Sequence, residues 1–142
     1  SGLTAIGNSA FEYCKVLASI ELPVWITKIR DSFFSSCYQL SSVTMQGEVT
    51  IIGNDAFSSC NNLPSISLPE TVTSIQSSAF SECSSITSNS IPESVTSIGD
   101  SAFYGCSNLA SINIPKKLTQ ISDKLFYGCT SIQKINWTLG NT

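Results

Sequence analysis

The cysteines of this chain recur at a constant interval of 23 residues, at positions 14, 37, 60, 83, 106 and 129. A repeat of this length with recurring apolar positions is typical of a solenoid, because one unit buries its apolar side chains only against its neighbours. We therefore divide the chain into repeats 1 to 6, at 6–28, 29–51, 52–74, 75–97, 98–120 and 121–142. Residues 1–142 are predicted to form one continuous array, which we expect to be part of a longer protein.

The repeats share the pattern I-x-x-x-A-F-x-x-C-x-x-L-x-x-I-x-I-P-x-x-V-T-x. The Phe and Cys positions are predicted to stack as ladders in the core. The spacing L-x-x-I-x-I, as in 63–68 and 109–114, alternates apolar and polar residues at its end and predicts half-buried strands. We expect these strands to form one parallel sheet on a concave face. Segments such as 72–75, with the pattern V-T-x-I, predict a second and shorter ladder on the opposite side.

A short helical turn is predicted in each repeat, between its first Ile and its Cys. The third position of every repeat carries a residue whose side-chain oxygen can accept a hydrogen bond from a free main-chain N–H, as helix N-caps do. These residues are Asn8, Asp31, Asn54, Ser77, Asp100 and Asp123.

The unit resembles the BspA-like leucine-rich repeat, which has A-F-x-x-C in its convex half. The residues that carry the resemblance are Ala102, Phe103, Cys106, Leu109, Ile112, Ile114 and Pro115, with most of their equivalents at 56–69 and 79–92. The resemblance covers residues 4–137. It implies a right-handed superhelical solenoid with a parallel β-sheet on the concave face and short helical turns and strands on the other side. Departures are local: Phe33 and Leu125 replace Ala, Gln46 replaces Pro, and Asn89 replaces an apolar strand residue.

The resemblance also implies a function. By this resemblance, proteins of the family look like cell-surface or secreted recognition modules. They are often linked with adhesion. The implied function is a non-enzymatic, adhesin-like binding module that recognises a protein or glycan of a host or neighbouring cell. An intracellular protein–protein interaction scaffold in the cytoplasm remains open, because reduced thiols suit it equally well.

Charge and hydropathy exclude some classes of partner. The net charge of −3 is too small to indicate nucleic-acid binding, and no apolar run is long enough to insert into a membrane. Residues 31–114 contain seven acidic residues and no Lys or Arg, whereas Lys116, Lys117, Lys124 and Lys134 cluster in the last part of the chain. This asymmetry is explained either by drift among solvated positions or by end-to-end self-association of arrays.

The cysteines are interpreted as buried free thiols. Equivalent residues in parallel copies point the same way, whereas a disulfide needs a dihedral angle of about 90°. The chain has no C-x-x-C pair and no His, so no zinc site is predicted. No catalytic signature is present, and neither a cofactor nor another metal is predicted.

The concave sheet is the candidate binding surface. Its outward positions in the middle repeats carry small hydroxyl or amide side chains, which offer hydrogen-bond donors and acceptors without charge. The candidate ligand-facing residues are Ser42, Thr44, Ser65, Ser67, Ser88, Ser90, Ser111 and Asn113. The alternative is that these residues only solvate an exposed sheet, since binding hot spots are usually Tyr, Trp and Arg. Asn89 lies at an inward position, where an amide without a hydrogen-bond partner is costly. We expect its amide either to be hydrogen-bonded or to be turned outward by a local bulge, and a role in recognition is the remaining alternative.

Overall fold

The computed structural model describes residues 2–138, which form a solenoid of short parallel strands without a helix. This confirms the predicted fold class. The strands are β1 Ser19–Leu22, β2 Lys28–Ile29, β3 Ser42–Met45, β4 Ile51–Ile52, β5 Ser74–Ile75, β6 Ser88–Ser90, β7 Ser97–Ile98, β8 Ser111–Ile114 and β9 Lys134–Trp137.

The short strands form one parallel sheet in the order β2-β4-β5-β7. Paired residues are one repeat apart, as in Ile52 opposite Ile75 and Ile75 opposite Ile98. Each short strand has one Ile that is buried in the core. The second, shorter ladder predicted from the V-T-x-I segments is therefore confirmed.

The longer strands form two sheets, β1-β3 and β6-β8-β9, so the prediction of one continuous sheet is wrong in repeat 3. There the segment 65–68 is not a strand, although Ile66 and Leu68 are buried as the pattern predicts. We call this segment the strand interruption.

Pro64 explains where the ladder breaks. At the equivalent position of other repeats, a main-chain N–H donates to the preceding repeat: Ser41 N lies 2.8 Å from Ala18 O, and Ala110 N lies 2.8 Å from Thr87 O. Proline has no N–H, so Pro64 cannot donate the matching bond to Ser41. On its other side, the bond from Thr87 N to Pro64 O is long, at 3.4 Å.

The predicted helical turns are absent from residues 2–138, and a run of tight turns takes their place. In repeat 4, the amides of Ser78, Phe80 and Glu82 donate to the carbonyls of repeat 5, with N···O distances of 2.6–2.9 Å. The alternate amides, such as those of Ser81 and Cys83, donate three residues back within the turn. A helix would direct every amide back along its own segment, so the bonds between repeats replace it.

Two residues in each turn adopt left-handed backbone conformations. In repeat 4 they are Ser78 and Glu82, with φ of 57° and 60°, and in repeat 5 they are Ser101 and Gly105, with φ of 58° and 71°. Within each turn, main-chain hydrogen bonds inside the repeat alternate with main-chain hydrogen bonds to the neighbouring repeat.

Three of the six residues predicted as N-caps accept a main-chain hydrogen bond, but from the next repeat. Asp31 Oδ1 accepts from Asn54 N at 2.9 Å, and Asn54 Oδ1 accepts from Ser77 N at 3.0 Å. Asp100 Oδ1 accepts from Asp123 N at 3.2 Å. These side chains therefore connect successive turns.

The Phe ladder runs unbroken through the core. Ring centroids lie 5.3 Å apart for Phe34 and Phe57, 5.2 Å for Phe57 and Phe80, and 5.4 Å for Phe80 and Phe103. Their rings are stacked, and all four side chains are fully buried. The core thus continues across repeat 3, where the strand ladder is interrupted.

Candidate functional site

The predicted ligand-facing side chains lie along one side of the solenoid, on the longer strands and the strand interruption. Ser42 and Thr44 are on β3, Ser88 and Ser90 on β6, and Ser111 and Asn113 on β8. Ser65 and Ser67 lie in the interruption. We call this surface the strand face. All eight side chains are exposed except that of Ser111, which is half-buried.

Strand register brings these residues into rows. Ser88 pairs with Ser111, and Ser90 pairs with Asn113. Because paired residues of parallel strands are neighbours on the same face, hydroxyl and amide groups follow one another along the array. The strand face therefore offers donors and acceptors but, over these eight positions, no charge.

Asn89 is buried on the inner side of β6. It is 7% exposed and occupies the position of an apolar residue, opposite Ile112. Its Nδ2 atom has no hydrogen-bond partner among residues 2–138. Of the three outcomes considered for Asn89 from the sequence, the structure thus shows neither a satisfied amide nor an outward-turned one.

An open groove of about 340 Å³ lies on the strand face, where repeats 3 and 4 meet. Its lining comprises Ser65, Ile66, Ser67, Leu68, Glu70, Ser88, Asn89 and Ser90. It thus combines four of the predicted residues with the unpartnered amide. The groove coincides with the strand interruption, which the periodic pattern alone does not reveal. Pro64 is the sequence signal that could have located it.

A second polar groove, of about 480 Å³, lies on the side of the short strands. Gln76, Ser77, Asp100 and Gln120 contribute to its lining, together with Ser74 and Ser97. The sequence interpretation assigned Ser77 and Asp100 to helix caps and placed none of these residues on a binding surface. The polar positions that flank the first Ile of each repeat are the signal that could have found them.

A half-buried tyrosine, Tyr104, and an exposed one, Tyr127, lie on the turn side of the array. Tyr104 and Tyr127 stack with their ring centroids 5.3 Å apart, and Tyr127 is 61% exposed. The strand face and this aromatic pair are therefore separate features, built by different parts of the repeat.

Three thiols of the core, those of Cys37, Cys60 and Cys83, are protected from chemistry by their position. Burial is the largest cause that raises the pKa of Cys37 to about 11 and that of Cys60 to about 12, and burial also raises the pKa of Cys83 well above its usual value. A thiol is nucleophilic only as the thiolate, so these groups are unreactive near neutral pH. The six cysteines are free thiols, and all except Cys14 are buried.

Residues 2–138 contain neither a cluster of metal-ligating side chains nor a membrane-spanning helix. No group of three or more Cys, Asp or Glu side chains is placed to hold a metal ion. Over the same residues, no helix has the length and apolar character needed to cross a bilayer.

Solenoids built from short parallel strands with this repeating pattern define the class of leucine-rich repeat proteins. The sequence profile described as "BspA type Leucine rich repeat region" matches six copies, over residues 1–93 and 73–141. The chain belongs to the BspA-type leucine-rich repeat family.

Solved bacterial leucine-rich repeat proteins have similar structures. A T. pallidum leucine-rich repeat protein is 30% identical, with a TM-score of 0.89, and the match covers 92% of this chain and 61% of that one. A protein from Bacteroides ovatus is 31% identical, with a TM-score of 0.79, over 92% of this chain and 40% of that one. A protein from Eubacterium ventriosum is 26% identical, with a TM-score of 0.81, over 99% of this chain and 38% of that one.

This chain thus spans less than two thirds of the length of these relatives. No curated protein matches its sequence. The family indicates a repeat module that binds other proteins.

Proposed function

We propose that this chain is the non-enzymatic recognition part of an adhesin-like protein that acts at the cell surface or after secretion. It binds a protein or glycan of a host or neighbouring cell through the strand face. The alternative function is an intracellular protein–protein interaction scaffold, and a binding experiment with intact cells distinguishes the two functions.

The strand face is the observation that carries this proposal. It is a row of uncharged hydroxyl and amide groups, nearly all exposed, that runs over β3, the strand interruption, β6 and β8, with strand register fixed between β6 and β8. A rigid surface loses little conformational entropy on binding, which favours recognition by many weak contacts. Extended surfaces of this kind are how solenoid proteins bind their ligands.

Binding of the fragment to intact host cells and to extracellular-matrix proteins tests the proposal. The test variant carries Ser65→Arg and Ser67→Arg, which place two bulky charges in the middle of the strand face. The control carries Thr73→Arg and Thr96→Arg, which add the same charge at exposed positions beside β5 and β7. Both proteins are first compared with the unmodified chain by circular dichroism and urea unfolding.

Saturable binding that is lost in the folded test variant and kept in the control supports the proposal. Equal binding by both variants rejects the strand face as the contact surface. Failure of the unmodified chain to bind any cell or matrix protein rejects the adhesin-like function and leaves the scaffold as the better interpretation.

A further inference from the structure

We propose that the short-strand side of the array carries a binding site for a carboxylate group, presented by an acidic sugar such as a uronic or sialic acid. Lys28 and Arg30 bind the carboxylate, and Trp25 packs against the sugar ring. This site goes beyond the proposed function, which concerns the strand face alone. Each of the two surfaces can therefore be tested without the other.

Two cationic side chains form a ridge between two grooves. Lys28 is in β2 and Arg30 follows that strand, on either side of the buried Ile29, and both are exposed. Alternate residues of an extended chain leave it on the same side, about 6–7 Å apart. Both residues line a groove of about 250 Å³ toward the beginning of the chain and another of about 270 Å³ toward repeats 3 and 4. A ligand in either groove therefore lies beside both positive charges.

Glycines in the neighbouring repeats keep Arg30 accessible. The position of Arg30 in its repeat is taken by Gly7 in the repeat before and by Gly53 in the repeat after. A Cβ atom at Gly53 would lie 2.8 Å from the main-chain carbonyl carbon of Arg30, so no side chain fits there without a shift of the main chain. A Cβ atom at Gly7 would have no neighbour within 4 Å, so the space on that side is open. Neither neighbouring repeat thus covers the guanidinium with a side chain from this position.

The positive charge is specific to this part of the array. The equivalents of Lys28 are Ile51, Ser74, Ser97 and Gln120, and those of Arg30 are Gly7, Gly53, Gln76, Gly99 and Ser122. None of these residues is charged, so the fold does not require a charge at either position. Two like charges this close together repel each other, and a bound anion relieves that repulsion.

The acidic groups nearby set the charge that the ligand should carry. Within the part of the chain that the structure describes, Asp31 is the acidic residue among the lining residues of these two grooves. Its Oδ1 accepts a hydrogen bond from Asn54 N at 2.9 Å, so it points toward the next repeat. Glu48, the equivalent of Trp25 in repeat 2, lies outside both linings. Two positive charges and one negative charge leave a single positive charge, which matches one carboxylate better than a doubly charged phosphate.

Trp25 and the hydroxyl groups around it favour a sugar as the carrier of the carboxylate. The half-buried Trp25 lines the first groove together with Thr4 and Thr27. An indole offers a flat apolar surface to the C–H face of a sugar ring, and threonine hydroxyls can donate to and accept from its hydroxyl groups. The guanidinium of Arg30 can bind both oxygens of the carboxylate, and the ammonium group of Lys28 adds a point charge.

An acidic peptide fits the site less well. Such a segment carries several carboxylates, and Asp31 in the second groove repels each one beyond the first. A sugar hydroxyl instead donates a hydrogen bond to the same Asp31 carboxylate. The lining therefore favours an acidic sugar, and binding of an acidic peptide is the competing outcome of the test.

Fluorescence of Trp25 gives the first test, with Trp137→Phe in every protein so that Trp25 is the only tryptophan. The acidic probes are sialyllactose, a hyaluronan hexasaccharide and trigalacturonate; lactose and N-acetylchitohexaose are the neutral comparisons, and hexaglutamate is the acidic peptide. We expect at least one acidic saccharide to change the emission saturably and to bind at least about ten-fold more tightly than the neutral saccharides. Added salt should weaken this binding, because it screens exposed charges. If no acidic saccharide binds, or if the neutral ones bind equally well, the proposal is wrong.

The second test uses Lys28→Ser with Arg30→Gln, which introduces the residues found two repeats further along the chain and should fold. We expect this variant to bind the same acidic saccharide at least about ten-fold more weakly, which corresponds to about 1.4 kcal/mol. The matched control, Lys116→Gln with Lys117→Gln, removes the same charge from exposed positions in repeat 5 and should bind as the unmodified chain does. Equal affinity of the Lys28, Arg30 variant and the unmodified chain refutes the site.

The Ser65→Arg, Ser67→Arg variant separates this site from the strand face. It should keep its affinity for the acidic saccharide, because its substitutions lie on the longer-strand side of the array. Loss of saccharide binding in that variant, with binding kept in the Lys28, Arg30 variant, would assign the sugar to the strand face and reject the site proposed here. Tighter binding of hexaglutamate than of every acidic saccharide would identify an acidic peptide as the ligand and reject the sugar.

Discussion

The thiol of Cys60 donates a hydrogen bond to the carbonyl oxygen of Phe34, with an Sγ···O distance of 3.2 Å, across an interval of 26 residues. The same contact recurs between Cys83 and Phe57 at 3.0 Å and between Cys106 and Phe80 at 3.1 Å. Small size and a weak S–H donor suit Cys to this position, which is both buried and next to a carbonyl. The 23-residue interval of the cysteines thus reflects one main-chain contact repeated along the core.

Stability should fall in alkaline solution because the buried thiols resist ionisation. An unfolded thiol releases its proton near its ordinary pKa of 9.0, whereas folded Cys60 keeps it until a pKa of about 12. Between these values the folded state binds more protons, so the free energy of unfolding falls as pH rises. Each such thiol contributes a slope of up to about 1.4 kcal/mol per pH unit.

Urea unfolding between about pH 8 and about pH 10, under reducing conditions, measures this slope. Cys60→Ala removes one thiol, so its free energy of unfolding should depend less steeply on pH than that of the unmodified chain. Identical slopes for the two proteins would show that Cys60 titrates normally in the folded state.

Truncation of a ladder Phe should be severely destabilising. Phe57 is fully buried and stacks on both Phe34 and Phe80, so Phe57→Ala removes apolar contacts and leaves a cavity. We expect the free energy of unfolding to fall by about 3–5 kcal/mol. Val16→Ala, at a side chain that is 88% exposed, is the control and should change it by less than about 0.5 kcal/mol. A small effect of Phe57→Ala in urea unfolding would contradict a continuous aromatic core.

Replacement of Asn89 should stabilise the array. Asn89→Ile removes a buried donor without a partner and restores the apolar ladder, so we expect a gain of about 1–3 kcal/mol in the free energy of unfolding. The reciprocal change, Ile112→Asn, places the same amide opposite Asn89 and should destabilise by at least about 1–3 kcal/mol. A loss of stability in Asn89→Ile would mean that the amide has a structural partner in the folded protein.

Glycine should be favoured at the left-handed turn positions. Ser59 has φ of 59°, a conformation that costs residues with a Cβ about 1–2 kcal/mol. After the larger entropy of glycine in the unfolded chain is subtracted, Ser59→Gly should stabilise by about 0.5–1 kcal/mol. Ser58→Gly, one residue earlier and outside the left-handed region, should instead destabilise by about 0.4–1 kcal/mol. Thermal unfolding that ranks the two variants in the opposite order would contradict this turn geometry.

The sequence predicts most of the fold because apolar side chains recur at fixed positions. Phe80 and Cys83 are buried where the pattern places them, and Ile75 and Ile98 pair where the short ladder was expected. The turns could not be predicted in the same way. Asp31 is a residue type that commonly caps helices. Whether its side-chain oxygen accepts a hydrogen bond from its own turn or from the main-chain N–H of Asn54 depends on how closely the repeats stack.

The candidate site was predictable only in part. The exposed row that includes Ser88 and Ser90 follows from strand alternation. The groove depends instead on an absent N–H at Pro64 and on the amide of Asn89, which are two departures from the repeat in neighbouring units. A consensus describes what repeats share, so it does not indicate where two departures meet in space.

The constant spacing of contacts has a consequence for how such an array folds. The pairing of Ile52 with Ile75 closes a loop of one repeat. All the remaining pairs of neighbouring strands close a loop of the same length. The entropy lost on loop closure grows with loop length, so it stays the same for each unit however long the array becomes. Folding can therefore spread from one formed pair of repeats to the next without slowing, and chain length sets only the number of steps.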